Sequence, residues 1–417
     1  MSDKSNISGK LPSRAWLVVG LLWVVGCLNY LDRIMITTMR ESVVGAIPMS
    51  DAQFGLLTSV FLWIYAAVSP LGGFLADKFS RSRMIIISLL VWSAVTWLTG
   101  HAQNYEQLIV TRALMGISEA CYIPAALALI ADYHRGPTRS LATGIHVTGT
   151  LVGQALGGLG GVIAERHAWS TPFIWFGLFG IVYAGVLFFF LRDIADGGEA
   201  STAVATAPRD SERTKFFEAI TSLFSKRGFI LALGFWGLLG LANWAVLAWM
   251  PTHFSARFNL GQGVAGMTAT IGLQAAAFGG VIFGGWWADR WSRTNRRARI
   301  LVPMIGVILA APMVLLLSVT HVFGLAVASL VVYGGMRSFS DSNMMPILCL
   351  VADPRYRATG YGVLNLFACA VGGFSIYLGG ILRDARVDLG VMFMFATGAL
   401  CVCALLLALI KPPRERA

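Results

Sequence analysis

Long apolar runs separated by short polar breaks fill the chain from Ala15 to Ile410. A helix needs about 20 mostly apolar residues to cross a bilayer core. Twelve runs meet that length, at 15–39, 53–76, 84–102, 107–131, 140–163, 171–191, 229–251, 264–287, 300–319, 322–351, 359–381 and 390–410. Gly and Pro inside several of them are compatible with spanning helices, which tolerate both. Ser50-Asp51-Ala52-Gln53 has the spacing of a capping box and predicts the start of the second span. The first run follows a polar N-terminus as a signal peptide would, but no A-x-A-like cleavage site follows and the run continues to Met39, so it reads as an uncleaved span.

Between the sixth and seventh runs the pattern stops. Asp193 to Asp210 is rich in Ala, Gly, Ser and Thr without apolar periodicity, which marks a flexible linker. After it, Phe216, Phe217, Ile220, Leu223 and Phe224 recur at helical spacing among charged residues, as in a helix lying at the membrane surface. Docking of a partner protein is the alternative. The expected organisation is an N-terminal six-helix bundle over 1–192, a connecting segment over 193–227 and a C-terminal six-helix bundle over 228–417.

Composition agrees with an all-α integral membrane protein: 56% of the 417 residues are hydrophobic and 13% charged, with mean hydropathy +0.70. The net charge of +11 is spread through short connectors and forms no continuous stripe, which argues against a nucleic-acid partner. Basic residues occupy alternate connectors: Lys78, Arg81 and Arg83; His134, Arg135 and Arg139; Arg192, Lys215, Lys226 and Arg227; Arg290, Arg293, Arg296, Arg297 and Arg299; Arg355 and Arg357; Lys411, Arg414 and Arg416. The positive-inside rule then places both termini in the cytoplasm, with the chain in the cell's inner membrane. All six cysteines fall in apolar segments, where they act as small packing residues. No metal-ligand spacing, catalytic triad or phosphate-binding Gly-rich loop is present, so neither an enzyme, a cofactor nor an ATP-driven pump is expected.

One segment recurs. Gly73-Phe-Leu-Ala-Asp77-Lys-Phe-Ser-Arg81 returns as Gly285-Trp-Trp-Ala-Asp289-Arg-Trp-Ser-Arg293, each matched position displaced by 212. Such duplication implies two pseudo-symmetric halves. At the end of a span the carboxylate can pair with basic side chains or helix termini and release them as the halves rock, so Gly73, Asp77, Arg81, Gly285, Asp289 and Arg293 are expected to act in gating. The repeated pattern resembles the cytoplasmic loop motif of the major facilitator superfamily. That resemblance covers essentially the whole chain and implies two six-helix bundles around a central site, alternating access and a functional monomer.

An ionisable group at the bilayer centre costs about 2.5–3.5 kcal/mol on insertion scales, so each one needs a partner or a role. Asp32 and Arg33 lie in span one, Arg112 and Glu119 in span four, His146 in span five, Arg337 and Asp341 in span ten. Arg112 and Glu119 are seven residues apart, close to two helical turns, and share a face. Span depths suggest the pairs Asp32–Arg112 and Arg33–Glu119. Static ion pairs that hold the bundle together are one reading. A coupled titrating set is the other, favoured because two acids and two bases exceed what a single structural pair needs. A carboxylate stays ionised beside an arginine and takes a proton more readily once that partner leaves, whereas arginine keeps its charge and offers a fork suited to a carboxylate or phosphate. Proton coupling is therefore expected at Asp32 and Glu119, and anion binding at Arg33 and Arg112.

Asn29-Tyr30-Leu31-Asp32-Arg33, with Arg112-Ala-Leu-Met-Gly-Ile-Ser-Glu119, is similar to the pattern of anion:cation symporters, which include sugar-acid permeases; the resemblance implies proton coupling at the matching acids and substrate recognition at the matching arginines. Spinster-like lysolipid transporters share nearly the same motifs, so an amphiphile is the alternative to a sugar acid or other hydroxylated carboxylate. Arg337 and Asp341 can pair at i, i+4 or serve substrate together with Ser338, Ser342 and Asn343, and the polar cluster favours a small organic anion. Tyr65, Gln154, Asn243, Trp244, Gln274 and Asn365 are further cavity candidates, because polar and aromatic groups in spans usually avoid lipid. Gly149, Gly153, Gly157 and Gly161 form a stripe for close helix packing, and the neighbouring His146 is read either as a proton carrier or as a packed, hydrogen-bonded histidine.

Overall fold

The computed structural model describes residues 13–134, 138–193 and 218–411. They are helical, with no strand among the described residues, and twelve helices are long and apolar enough to cross a membrane: Arg14–Thr38, Asp51–Gly72, Arg81–Thr99, Tyr105–Tyr133, Leu141–Arg166, Thr171–Phe190, Arg227–Phe258, Gln262–Ser292, Ala298–Val319, Phe323–Val351, Thr359–Asp384 and Leu389–Leu409, numbered below as spans one to twelve. Their order matches the twelve runs in the sequence. Most of the proposed linker lies outside the described residues, as do Phe216 and Phe217 of the expected surface helix. Its helical remainder buries Leu223 beside Phe229 at the foot of span seven, and Glu218 accepts a hydrogen bond from the Tyr356 hydroxyl at 3.0 Å.

The second span begins as its capping box predicts: Ser50 Oγ accepts from the Gln53 amide at 3.2 Å, and Gln53 Oε1 accepts from the Ser50 amide at 2.9 Å. Span seven departs from the expected end at 251. It runs through Pro251 to Phe258 and stops where Asn259 adopts φ 51°, a left-handed conformation that asparagine tolerates at a helix C-terminus. Three spans are interrupted: span four at Ala120–Cys121, span five at Gly157–Gly158 and span ten at Ser338. The first interruption directly follows Glu119, and the third separates Arg337 from Asp341.

Span five packs on span one through its glycine stripe. A Cβ at Gly153 would lie 2.9 Å from the Cys27 Cα and one at Gly161 would lie 2.6 Å from the Thr38 carbonyl oxygen, so no larger residue fits without separating the helices. The connectors rich in Arg and Lys all emerge on one side of the bundle, the basic face. Spans two and eleven, and five and eight, join the halves towards the other side, the opposite face.

Candidate functional site

Between spans one and four the structure brings together Asp32, Arg33, Arg112 and Glu119, each at most 3% exposed. Arg33 Nε donates to Glu119 Oε2 at 2.7 Å, the expected ion pair. The same oxygen accepts from Asn29 Nδ2 at 2.9 Å. The guanidinium of Arg33 lies 4.3 Å from the ring centroid of Tyr65, 4.6 Å from that of Tyr30 and 5.1 Å from that of Phe61, an aromatic cage that stabilises a cation through the negative ring faces. Span depth placed these side chains at one level; the cage was not anticipated, because the azimuth of span two about its own axis is not readable from one sequence.

The second expected pair does not form. Asp32 Oδ2 instead accepts from Thr96 Oγ1 of span three at 3.2 Å, while Arg112 points over the Phe61 ring at 5.0 Å with Nη1 on Met115 Sδ at 3.1 Å. Arg112 is fully buried without a carboxylate within ion-pair distance. Several polar atoms of the cluster lack any partner: Asn29 Oδ1, Asp32 Oδ1, Arg33 Nη2, Arg112 Nε and Nη2, and Glu119 Oε1. Buried polar groups are normally satisfied, so the cluster holds unused hydrogen-bonding capacity.

Span ten carries an intramembrane ion pair of the second half. Arg337 and Asp341 pair at i, i+4 across the break at Ser338, and Asp341 remains 37% exposed. Ser338 and Ser342 donate to carbonyls of their own helix, and Asn343 Nδ2 donates to the Phe339 carbonyl at 2.9 Å and to Ser342 Oγ. These three polar groups are thus engaged locally. Tyr361 of span eleven lies within electrostatic range of both Asp341 and Tyr65, and Tyr30 within range of Tyr361 and Cys369. Residues 361, 365 and 369 stand on one helix face, which puts half-buried Asn365 on the side of Tyr30 and Arg33. Sequence reading missed Tyr361; its spacing of four from Asn365 was the available signal.

The remaining candidates are placed differently. Gln274 Nε2 donates to Gln154 Oε1 at 3.1 Å, so these two join the halves to each other. Trp244 packs its indole against Gly372 of span eleven, and half-buried Asn243 precedes it. His146 Nε2 is 2.8 Å from the Tyr122 hydroxyl, which also donates to the Leu22 carbonyl, and it packs beside Gly26 of span one, one helical turn before Asn29.

Contacts between the halves decide which side of the site is shut. At the opposite face Asp384, at the end of span eleven, accepts from the backbone amides of Asp51 and Ala52 at 2.8 and 2.9 Å, capping span two from the other half. Asp51 itself pairs with Arg383 at 2.9 Å and with Arg40. A second cap mirrors the first: Glu165, at the end of span five, accepts from the Gly263 amide at the start of span eight at 2.8 Å. Asp51 and Gly263 stand 212 positions apart, the offset of the duplicated motif. Deeper links are Ser59 Oγ to the Gly373 carbonyl at 2.6 Å, Trp63 Nε1 to the Ala370 carbonyl at 3.0 Å and Thr270 Oγ1 to the Ala155 carbonyl at 2.9 Å. Between described residues no hydrogen bond or ion pair joins spans one to six with spans seven to twelve at the basic face.

There the described charged members of the duplicated motif that form ion pairs do so within their own halves. Arg81 pairs with Asp132, and Asp289 with Arg299 at 3.2 Å. Exposed Arg293 caps the end of span eight, and Gly285 lies against Ser342. The side chains of Gly73 and Asp77 lie outside the described residues.

The model of the Major Facilitator Superfamily matches residues 22–376. A probable sulfoacetate transporter of Cupriavidus necator is 26% identical over 408 residues, covering 95% of this chain and 94% of that protein. A D-galactonate transporter of Escherichia coli is 24% identical over 297 residues, 68% of this chain and 69% of that protein. Among solved structures, a bacterial homologue of the human lysosomal transporter Spinster superimposes with TM-score 0.75 at 21% identity, over 96% of each chain.

Proposed function

The chain belongs to the Major Facilitator Superfamily and is a multi-pass membrane transporter, and from that premise we propose that it is a proton-coupled symporter of a small organic anion bearing a carboxylate, a sugar acid or a related hydroxylated acid. The carrying observation is the shared use of Glu119: its Oε2 neutralises Arg33, while Glu119 Oε1 and Arg33 Nη2 have no partner. A proton on Glu119 removes the charge that holds Arg33, and the guanidinium, still seated in its aromatic cage, is then free to bind a carboxylate.

Charge balance gives the same coupling. Asp32, Glu119, Arg33 and Arg112 sum to zero when all are ionised. An anion entering alone would leave a net negative charge in a low-dielectric site, where removing one partner of a buried pair costs about 3–5 kcal/mol. Proton and anion entering together keep the cluster neutral. Asp32 is the second proton carrier on this reading and Arg112 the second anion ligand; Tyr65, Asn365 and Tyr361 bind substrate hydroxyls, and Arg337 and Asp341 engage its distal end from the second half. Two relatives, the probable sulfoacetate transporter and the D-galactonate transporter, support an anionic substrate.

With the basic face cytoplasmic by the positive-inside rule, the contacts between Asp384 and span two and between Glu165 and span eight close the outer side. Both termini are then cytoplasmic, and the duplicated motif and the two opposite-face caps exchange roles as the halves rock. The test is uptake by purified protein in liposomes under an imposed pH gradient, presenting D-galactonate, sulfoacetate, simple monocarboxylates and lysophospholipid. Accumulation of a hydrophilic carboxylate only under the gradient is the expected result. Movement of lysophospholipid with none of the acids would overturn it.

A further inference from the structure

Glu119 is held at one oxygen by two donors, and the pattern of unpaired atoms around it assigns a role to a neighbour that carries no charge. Asn29 is fully buried on span one, one helical turn before Asp32 and Arg33. Its Nδ2 donates to Glu119 Oε2 at 2.9 Å, while its Oδ1 faces no donor and Glu119 Oε1 faces none either. An amide and a carboxylic acid are complementary: the amide N–H donates to one carboxyl oxygen, and the acid O–H donates to the amide oxygen. Half of that arrangement is present. The other half needs a proton on Oε1, because Oε1 and Asn29 Oδ1 are both acceptors while Glu119 is ionised.

We propose that Asn29 is the positioning residue that receives protonated Glu119, closing a two-bond amide–acid pair in which Glu119 Oε1–H donates to Asn29 Oδ1. The inference rests on the reading of Glu119 as a proton carrier. The proton arrives from hydronium in the water on the basic-face side; an O–H bond forms at Oε1, one O–H bond of hydronium breaks, and water leaves. Two orphaned buried atoms become satisfied in one step, which offsets the loss of the Arg33 ion pair. Asn29 therefore holds Glu119 in both protonation states, so that Arg33 can leave for an anion without Glu119 following it. The charged groups facing Glu119 are Asp32 and Arg33 from span one and Arg112 from its own span; none of them offers an acceptor that is neutral in both states.

The measurement is infrared difference spectroscopy of the purified full chain in lipid films, between alkaline and acid pH, with no substrate needed. A protonated-carboxyl band that vanishes in Glu119→Gln identifies Glu119. In Asn29→Leu, of similar size, the C=O loses the amide donor and the O–H its acceptor, so the band is expected at higher wavenumber. Asn29→Ser, too short to reach both oxygens, gives the same shift should the Leu variant fail to fold. A Glu119 band that stays in place in the variants overturns the role of Asn29 and leaves proton carriage by Glu119 standing. Absence of any band assignable to Glu119 across the pH range overturns both.

Discussion

Replacing Asp384 with alanine should open the opposite face. The carboxylate accepts from two backbone amides at the start of span two, at 2.8 and 2.9 Å, and those amides belong to the other half of the protein. Losing a helix cap typically costs about 1 kcal/mol within a range of about 0.5–2, and the exposure of Asp384 argues for the lower part of that range. Asp51 keeps its pairs with Arg383 and Arg40, and Ser50 still caps the Gln53 amide. A loss of about 1 kcal/mol shifts the balance between closed and open arrangements roughly fivefold. Glu165→Ala removes the mirrored cap on span eight, and since the two caps share no partner their effects should add in free energy, giving about a 25-fold shift in the double variant. Spin labels at positions 106 and 321, both exposed at that face on different halves, in a background without native cysteines, would report the distance distribution by pulsed electron resonance. Asp353→Ala serves as the control, because Asp353 pairs with Arg355 inside a basic-face connector. Populations that are unchanged in both single variants and in the double variant would refute the assignment of these carboxylates as the clasp.

Arg33→Ala leaves Glu119 buried with its ion pair gone, so apparent stability should fall by about 3–5 kcal/mol; adding Glu119→Gln should restore most of it, and thermal unfolding of the three proteins checks the coupling. Arg33→Lys preserves the charge but loses the fork and the stacking of the guanidinium on Tyr65 and Tyr30, and anion-dependent thermal stabilisation should be lost. Gly153→Val drives a side chain into the Cys27 backbone and should destabilise by about 1–3 kcal/mol, whereas Gly144→Ala, with no atom within 4 Å of its Cβ, should melt like the parent.

Much of the architecture was legible because hydrophobic length is a one-dimensional quantity. The twelve runs, the capping box at Ser50 and the 212-residue duplication required no knowledge of neighbours. Span seven was misjudged at its end because Pro251 looks like a terminator in sequence, whereas the packed segment to Phe258 keeps it helical. At the site, depth along a span was readable and azimuth was not. Arg33 and Glu119 met as expected, but Asp32 turned to Thr96, a residue indistinguishable in sequence from any other threonine in an apolar run. Gln154 and Gln274 looked like cavity groups for the same reason: a polar side chain in a span needs a partner, and sequence does not reveal that the partner is the other half of the chain.

Coupling of the proton to the anion is the central claim, and it is tested most directly by comparing two activities of one protein in liposomes: accumulation driven by a pH gradient, and exchange of labelled for unlabelled substrate without one. D-Galactonate and sulfoacetate are the first probes. Glu119→Gln and Asp32→Asn should lose gradient-driven accumulation while retaining exchange, because a permanently neutral side chain still allows the anion to occupy Arg33 but no longer carries a proton with it. Accumulation at the parent level in both variants would contradict the account.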